Sequence, residues 1–201
     1  MKLPKPSEGG SFELVPAGNH LGVCWQVIDI GTQETTYNDE VKHARKVIIG
    51  WELPEETMAD GRPFVVSRKY TFSVHEKATF RKHLESWRGK KFTDEDFGDD
   101  GFDIRLLIGK ACFVNVVHNQ VGERTYANIE SIAQLPKGMQ APKLVNNALY
   151  FSLEPSEFQP TVFASLPEWL QEQIQKAPEW KHVDIQDKMA HVADGGDDMP
   201  F

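Results

Sequence analysis

Cysteine is nearly absent: Cys24 and Cys112 are the only two in 201 residues, and each sits inside an apolar segment. That excludes a disulfide framework and a Cys-x-x-Cys metal clip, and both side chains are expected to be small buried hydrophobes. No run approaches the roughly 18 consecutive apolar residues that a membrane span requires, and the opening MKLPKPSEGGSFEL has no apolar stretch of the signal-peptide kind, so a cytoplasmic protein without a membrane partner is expected. The seven histidines form no His-x-x-x-His or His-Glu-x-x-His pair. The carboxylates Asp94, Glu95, Asp96, Asp99, Asp100 and Asp103 are dense, but their spacing fits no twelve-residue calcium loop and reads as a solvated segment. There is no Gly-x-x-x-x-Gly-Lys-Ser/Thr loop and no Gly-x-Ser-x-Gly elbow. Nothing therefore points to an enzyme, a metal or a cofactor, and none is expected.

An excess of positive charge is also lacking. The formal net charge is -8, from 22 Lys and Arg against 30 Asp and Glu, which taken alone argues against a polyanion partner. The distribution reverses that argument locally. Residues 40–91 hold twelve basic and seven acidic side chains, a segment of +5, while the last fifty residues hold three basic and ten acidic. The chain is polarised into a basic middle and an acidic C-terminal end.

Hydrophobic periodicity sets out the elements. Residues 1–16, with three prolines and two glycines, read as an extended arm. A strand is expected over residues 17–31, a polar loop TQETTYNDE after it, and a second strand over 41–53 with Val47, Ile49 and Trp51 on one face. Residues 54–63 read as a charged loop, and 64–74 as a third strand with Val66, Arg68, Tyr70, Phe72 and Val74 on one face. The period then changes: Phe80, Leu84 and Trp87 fall at i, i+4 and i+7, an amphipathic helix over 76–88 closed by Gly89. A short helix is expected around 104–108. A hairpin of residues 111–119 and 124–135 turns at Gly122. A strand near 148–153 and a helix over 167–176 follow, with Pro167 suited to a first helical turn. Three strands, a helix and a hairpin is the order of the five-stranded OB-fold Greek-key barrel, although other small β folds generate it too. The predicted class is mainly β, with the barrel over 17–139, an extension over 140–193 that packs on it or joins a homodimer, and a disordered acidic tail over 194–201.

An OB barrel presents ligands on its second and third strands, and single strands of nucleic acid are held by a basic groove together with aromatic rings on which bases stack. Trp51 and Tyr70 occur there with Lys42, Arg45, Lys46, Arg68 and Lys69. The aromatic residues of these strands equally suit the barrel interior, and for Phe72 the interior is the stronger expectation. Arg124 and Tyr126 beside the hairpin turn, and Tyr37 in the first long loop, complete the candidate nucleic-acid contacts. The end of the chain is a separate signal. Asp194, Asp197, Asp198, Met199, Pro200 and Phe201 combine carboxylates with an apolar anchor, which suits a basic-rimmed apolar pocket on a partner protein.

That Asp-Asp-Met-Pro-Phe end resembles the acidic tip of bacterial single-stranded DNA-binding proteins. The stretches AGNHLGVCWQVIDIGTQ, KVIIGWELPEE, DGRPFVVSRKYTFSVHEKATFRKHLESWRGKKFT, LIGKACFVNVVHN and YANIESIAQLPKGM are similar to phage and prophage OB-type single-strand binding proteins over about residues 17 to 139. The resemblance implies a sequence-independent single-stranded DNA-binding protein of phage replication or recombination in the bacterial host cytoplasm. It also implies a tail that recruits a polymerase, helicase, exonuclease or annealing protein. The alternative from a different class is a recombination mediator or adaptor whose barrel binds protein and whose tail mimics the bacterial tip; a duplex-binding regulator is the more distant third.

Overall fold

The computed structural model describes residues 13–37, 40–98 and 101–183. Its frame is a long antiparallel hairpin of β1 (Gly18–Tyr37) and β2 (Glu40–Thr57). The segment expected as a polar loop is part of this hairpin, paired from Thr32↔Arg45 out to Tyr37↔Glu40. Thr32, Thr35, Thr36 and Val41 are β-branched and suit a ladder. Glu34 to Thr36 and Glu40 to His43 are exposed, so this end of the hairpin is a solvated ribbon.

The remaining strands are β3 (Pro63–Thr71), β4 (Ala111–Val121), β5 (Arg124–Ala133) and β6 (Leu149–Phe151). The helices are α1 (Thr79–Arg88), α2 (Pro160–Ser165) and α3 (Glu168–Gln175). The chain is thus mainly β, with an antiparallel sheet in the order β3-β2-β1-β4-β5. The short β6 runs parallel to β1, along the edge left free where β4 ends at the Val23↔Ala111 pair. β3 stops at Thr71 rather than reaching Val74, and α1 begins three residues later than its periodicity suggested. Gly89 closes α1 in the left-handed conformation. A short helix α2 in the C-terminal segment had no counterpart in the sequence reading.

Two apolar cores lie on opposite faces of the β1–β2 hairpin. The first gathers Val27, Val47, Ile49, Trp51 and Leu53 with Val66 and Tyr70 of β3 and the predicted stripe Phe80, Leu84 and Trp87 of α1. Trp87 also donates its indole N–H to the carbonyl of Ala111 at 3.0 Å, tying α1 to β4. The second core joins Ile28, Ile30 and Ile48, on the other side of the same strands, to Phe151, Leu153, Phe158, Phe163, Leu170 and Ile174. The segment from β6 to Val183 is therefore packed against the outward face of β1 and β2.

Polar anchors fix this cover in place. Glu52 is fully buried, and its carboxylate accepts from the backbone N–H of Val145 at 2.6 Å and of Asn146 at 2.7 Å. Asp29 accepts from the N–H of Leu153 at 3.2 Å and of Gly31 at 3.0 Å, and its ion pair with Arg45 closes at 2.6 Å. Arg45 also meets Glu154 at 2.8 Å. One guanidinium and two carboxylates thus bind both hairpin strands to the cover.

Gly31 sets how closely the cover approaches. Its φ is +69°, and a Cβ there would lie 2.5 Å from Ala177 Cβ and 2.8 Å from Leu153 Cδ1. Gly61 has a similar φ of +83° but open space around it. Gly31→Ala is expected to lower the thermal midpoint clearly more than Gly61→Ala, because backbone strain of about 1–3 kcal/mol applies to both and displacement of the cover to one. Each kcal/mol is worth roughly 2–4 °C at this chain length. Equal midpoints for the two variants would contradict the packing described.

Candidate nucleic-acid interface

With β1 and the outward side of β2 covered, the expected ligand face is reduced to its β3 half. β3 alternates strictly: Phe64, Val66 and Tyr70 point into the first core, and Val65, Ser67, Lys69 and Thr71 are exposed. Outward residues of β2 beyond Lys46 are Ile48, beneath the C-terminal cover, and Glu52, buried against Val145 and Asn146 just before β6. This corrects the placement of Trp51. It is wholly buried against Trp87, with ring centroids 5.5 Å apart, because it belongs to the inward row of Val47, Ile49 and Trp51, so its ring is closed to a base. Tyr70 is buried on the same grounds, with its hydroxyl 2.9 Å from His83 Nδ1, and burial raises its pKa. Phe72 goes the other way. The strand ends before it, so alternation no longer directs it inward, and it lies 40% exposed against Phe80 and Arg45.

The candidate cations fall into two groups. Arg45 is held between Asp29 and Glu154, so its charge is already matched, and it acts as a structural tie rather than a free contact. Lys42 pairs with Glu40 at 3.3 Å on the exposed ribbon, an arrangement worth little in water. Lys46 and Lys69 form the second group. They lie diagonally on one face, since Lys46 pairs with Thr71 and Ile48 with Lys69. The Lys46 ammonium donates to Thr71 Oγ1 at 2.7 Å, and that of Lys69 to Gln173 Oε1 at 3.2 Å. Partial burial, then the neighbouring charge of Lys46, lowers the Lys69 pKa. Neither lysine has a carboxylate partner among the described residues.

Lys69 continues into a cleft of about 510 Å³ where β3 runs on to α1. Arg68, Lys69, His75 and Lys77 line it with Ser73 and Thr79, and no carboxylate does. Lys77 and His75 were not among the sequence candidates. Counting Lys77 with the predicted helix hid it, since the helix begins only at Thr79 and leaves Lys77 in the connecting turn. Arg68 has a double position: it lines this cleft and also donates to the carbonyl of Ile129 on β5, with its guanidinium 5.5 Å from the Tyr70 ring. β3 and β5 lie alongside each other there, and Arg68 bridges them.

Further along the same seam, Arg124 and Tyr126 are exposed and share a groove of about 710 Å³ with Leu14, Val65 and Ser67. The outward face of β3 thus joins two concavities, one cationic and one carrying an exposed tyrosine and arginine. Tyr37 closes the ribbon through its backbone pairing with Glu40, but its side chain lies outside the described residues. Asp194, Asp197, Asp198, Met199, Pro200 and Phe201 also lie outside them.

Among the described residues no cluster of three or more His, Cys, Asp or Glu side chains could hold a metal ion, and no helix is long and apolar enough to cross a membrane. No protein-family model matches the chain, and no curated protein sequence matches it.

His83 reports on the inner wall of this region. Burial, and then the charge of Arg68, push its pKa from 6.5 down to about 4. Between those values the unfolded chain binds a proton that the folded chain does not. Stability is therefore expected to fall as pH drops from about 6.5 to about 4, with this contribution intact above that window. Denaturant unfolding at several pH values should show a shallower dependence in His83→Asn; parallel curves would contradict the assignment.

Proposed function

We propose that the protein is a sequence-independent single-stranded DNA-binding protein of phage replication or recombination, built on an OB barrel, that carries its strand along the outward face of β3. The observation that carries this reading is the cluster of Lys46, Arg68, Lys69 and Lys77 around a cleft lined by no carboxylate, in a chain whose net charge is -8. In so acidic a chain, cations left without carboxylate partners are a concentrated attraction for phosphates. Their release of condensed counterions supplies affinity that needs no particular base sequence.

Three features favour the OB barrel over other small β folds. The strand order is β3-β2-β1-β4-β5, α1 lies between β3 and β4, and Arg68 bridges the two outer strands at Ile129. In such a barrel the third strand and the hairpin between the last two strands flank the ligand, which is where Lys69 and Tyr126 stand. From Val65 to Thr71 the face extends about 20 Å at the usual strand rise. It accommodates a few extended nucleotides, the low end of the roughly 4–16 that single OB domains occupy. The chain acts by binding, without a catalytic step, in the cytoplasm of the bacterial host. Its carboxylate-rich end, from Asp194 to the apolar Phe201, captures a replication or recombination enzyme through a basic-rimmed pocket on that partner.

Replacing Lys46, Lys69 and Lys77 together by Glu tests this reading. Arg68 is left in place because it also bridges β3 to β5. Affinity for a fluorescent oligothymidine should fall at least about 100-fold, from lost counterion release at three sites. Unfolding should shift by no more than about 0.5 kcal/mol per exposed site. In the same titration, deletion of residues 194–201 should leave affinity equal or raised, since it removes carboxylates that compete with phosphates for the cleft. Undiminished binding by the triple variant would take the strand off β3.

A further inference from the structure

The most exposed tryptophan among the described residues is Trp169, 59% accessible on α3, a helix of the C-terminal cover and not of the strands that carry the cationic cleft. A large apolar ring left in water on a helix whose Leu170 and Ile174 are buried calls for an account. The helical period supplies the setting. Trp169, Gln173 and Lys176 are spaced i, i+4 and i+7, so they form one flank of α3, about 100° from the buried stripe of Leu170 and Ile174. Gln173 is the middle member of that flank, and its side-chain oxygen accepts from Lys69 on β3. Its backbone carbonyl accepts from Gln33 of β1 at 3.2 Å. The flank is therefore joined edge to edge with the outward face of β3, and Trp169 lies one helical turn, about 5.4 Å along the axis, from the residue that makes the junction. Glu168 and Glu172 lie on the far side of Trp169 from Gln173, with Glu172 four residues before Lys176 and close to it around the helix.

We propose that α3 is the second wall of the strand-binding face, with the indole of Trp169 as the platform on which a base stacks and Lys176 as a phosphate contact beside it. The cover then does more than bury the hairpin. It replaces the β2 half of the ligand face, which it occludes, with an aromatic ring and a cation of its own. This also supplies what β3 lacks, since Lys69 and Thr71 have no accessible aromatic neighbour on their own strand once Tyr70 is buried. Lys176 is exposed and has no carboxylate partner among the described residues.

The inference rests on the proposal that the protein binds single strands, and the experiment separates the two. Full-length wild type, Trp169→Ala, Trp169→Leu and Trp169→Phe are titrated with oligothymidine, following fluorescence anisotropy of a labelled strand and, separately, intrinsic tryptophan emission. Wild type should bind with quenching. The Ala and Leu variants should bind about 10-fold or more weakly, consistent with base–aromatic stacking energies. The Phe variant should retain most of the affinity, and all three should lose most of the quenching. Wild-type affinity in the Ala variant, or equal losses in Leu and Phe, would overturn the stacking role while leaving strand binding in place. Failure of the wild-type protein to bind would remove the strand-binding proposal and this inference with it. Since Trp169 is exposed, unfolding midpoints of all four proteins should agree.

Discussion

The burial of both faces of the β1–β2 hairpin governs the rest of the molecule. A strand with one wet face alternates apolar and polar side chains; one covered on both sides is apolar throughout. Val27 and Val47 supply the inner core, while Ile28, Ile30 and Ile48 supply the outer one. The outer row would be an exposed apolar patch without the segment from β6 to Val183. Once that segment is in place, β1 and the central part of β2 are closed, and the β2–β3 half of the sheet keeps its outward surface mainly on β3. The position of the candidate interface is thus a consequence of what the C-terminal cover takes away.

The same constraint divides the charged side chains by role. Where the cover meets the hairpin, charges are matched: Arg45 lies between Asp29 and Glu154, and the buried Glu52 is satisfied by backbone donors. Arg105, with Asp103 at 2.8 Å and Glu157 at 2.9 Å, repeats the pattern beside Tyr150. On β3 and the turn into α1 the cations have no such partners among the described residues. Buried or half-buried charge needs a counter-charge to remain, whereas a solvated lysine does not, and this separates Arg45 from Lys69 although the two look alike in a charge count.

Much of this was legible in the sequence, and the failures have physical causes. The amphipathic spacing of Phe80, Leu84 and Trp87 located α1, and the alternation of β3 placed Lys69 outward, because a period of 3.6 or 2 survives any tertiary context. Trp51 and Tyr70 were ambiguous because a strand pattern separates two faces without saying which one is wet. The apolar runs Val27-Ile28 and Val47-Ile48-Ile49 were the available signal that β1 and β2 are covered on both sides, and hence that half the expected face is closed. Trp169 and Lys77 depend on the docking of α3 and on where α1 begins, which no local pattern encodes. Phe72 emerged at the surface because the strand ended at Thr71, three residues short of where its alternation reached.

The central claim is that unpaired cations on and beside β3 attract a single strand to an acidic protein, and the salt dependence of binding tests it most directly. Oligothymidine and a matched duplex are titrated with the intact protein at several salt concentrations. The account predicts preference for the single strand and an affinity that falls as salt rises. The logarithmic slope should be about -2 to -3, as expected for three or four phosphate contacts at about 0.7 per contact on a single strand. Affinity indifferent to salt, or tighter binding of the duplex, would contradict it.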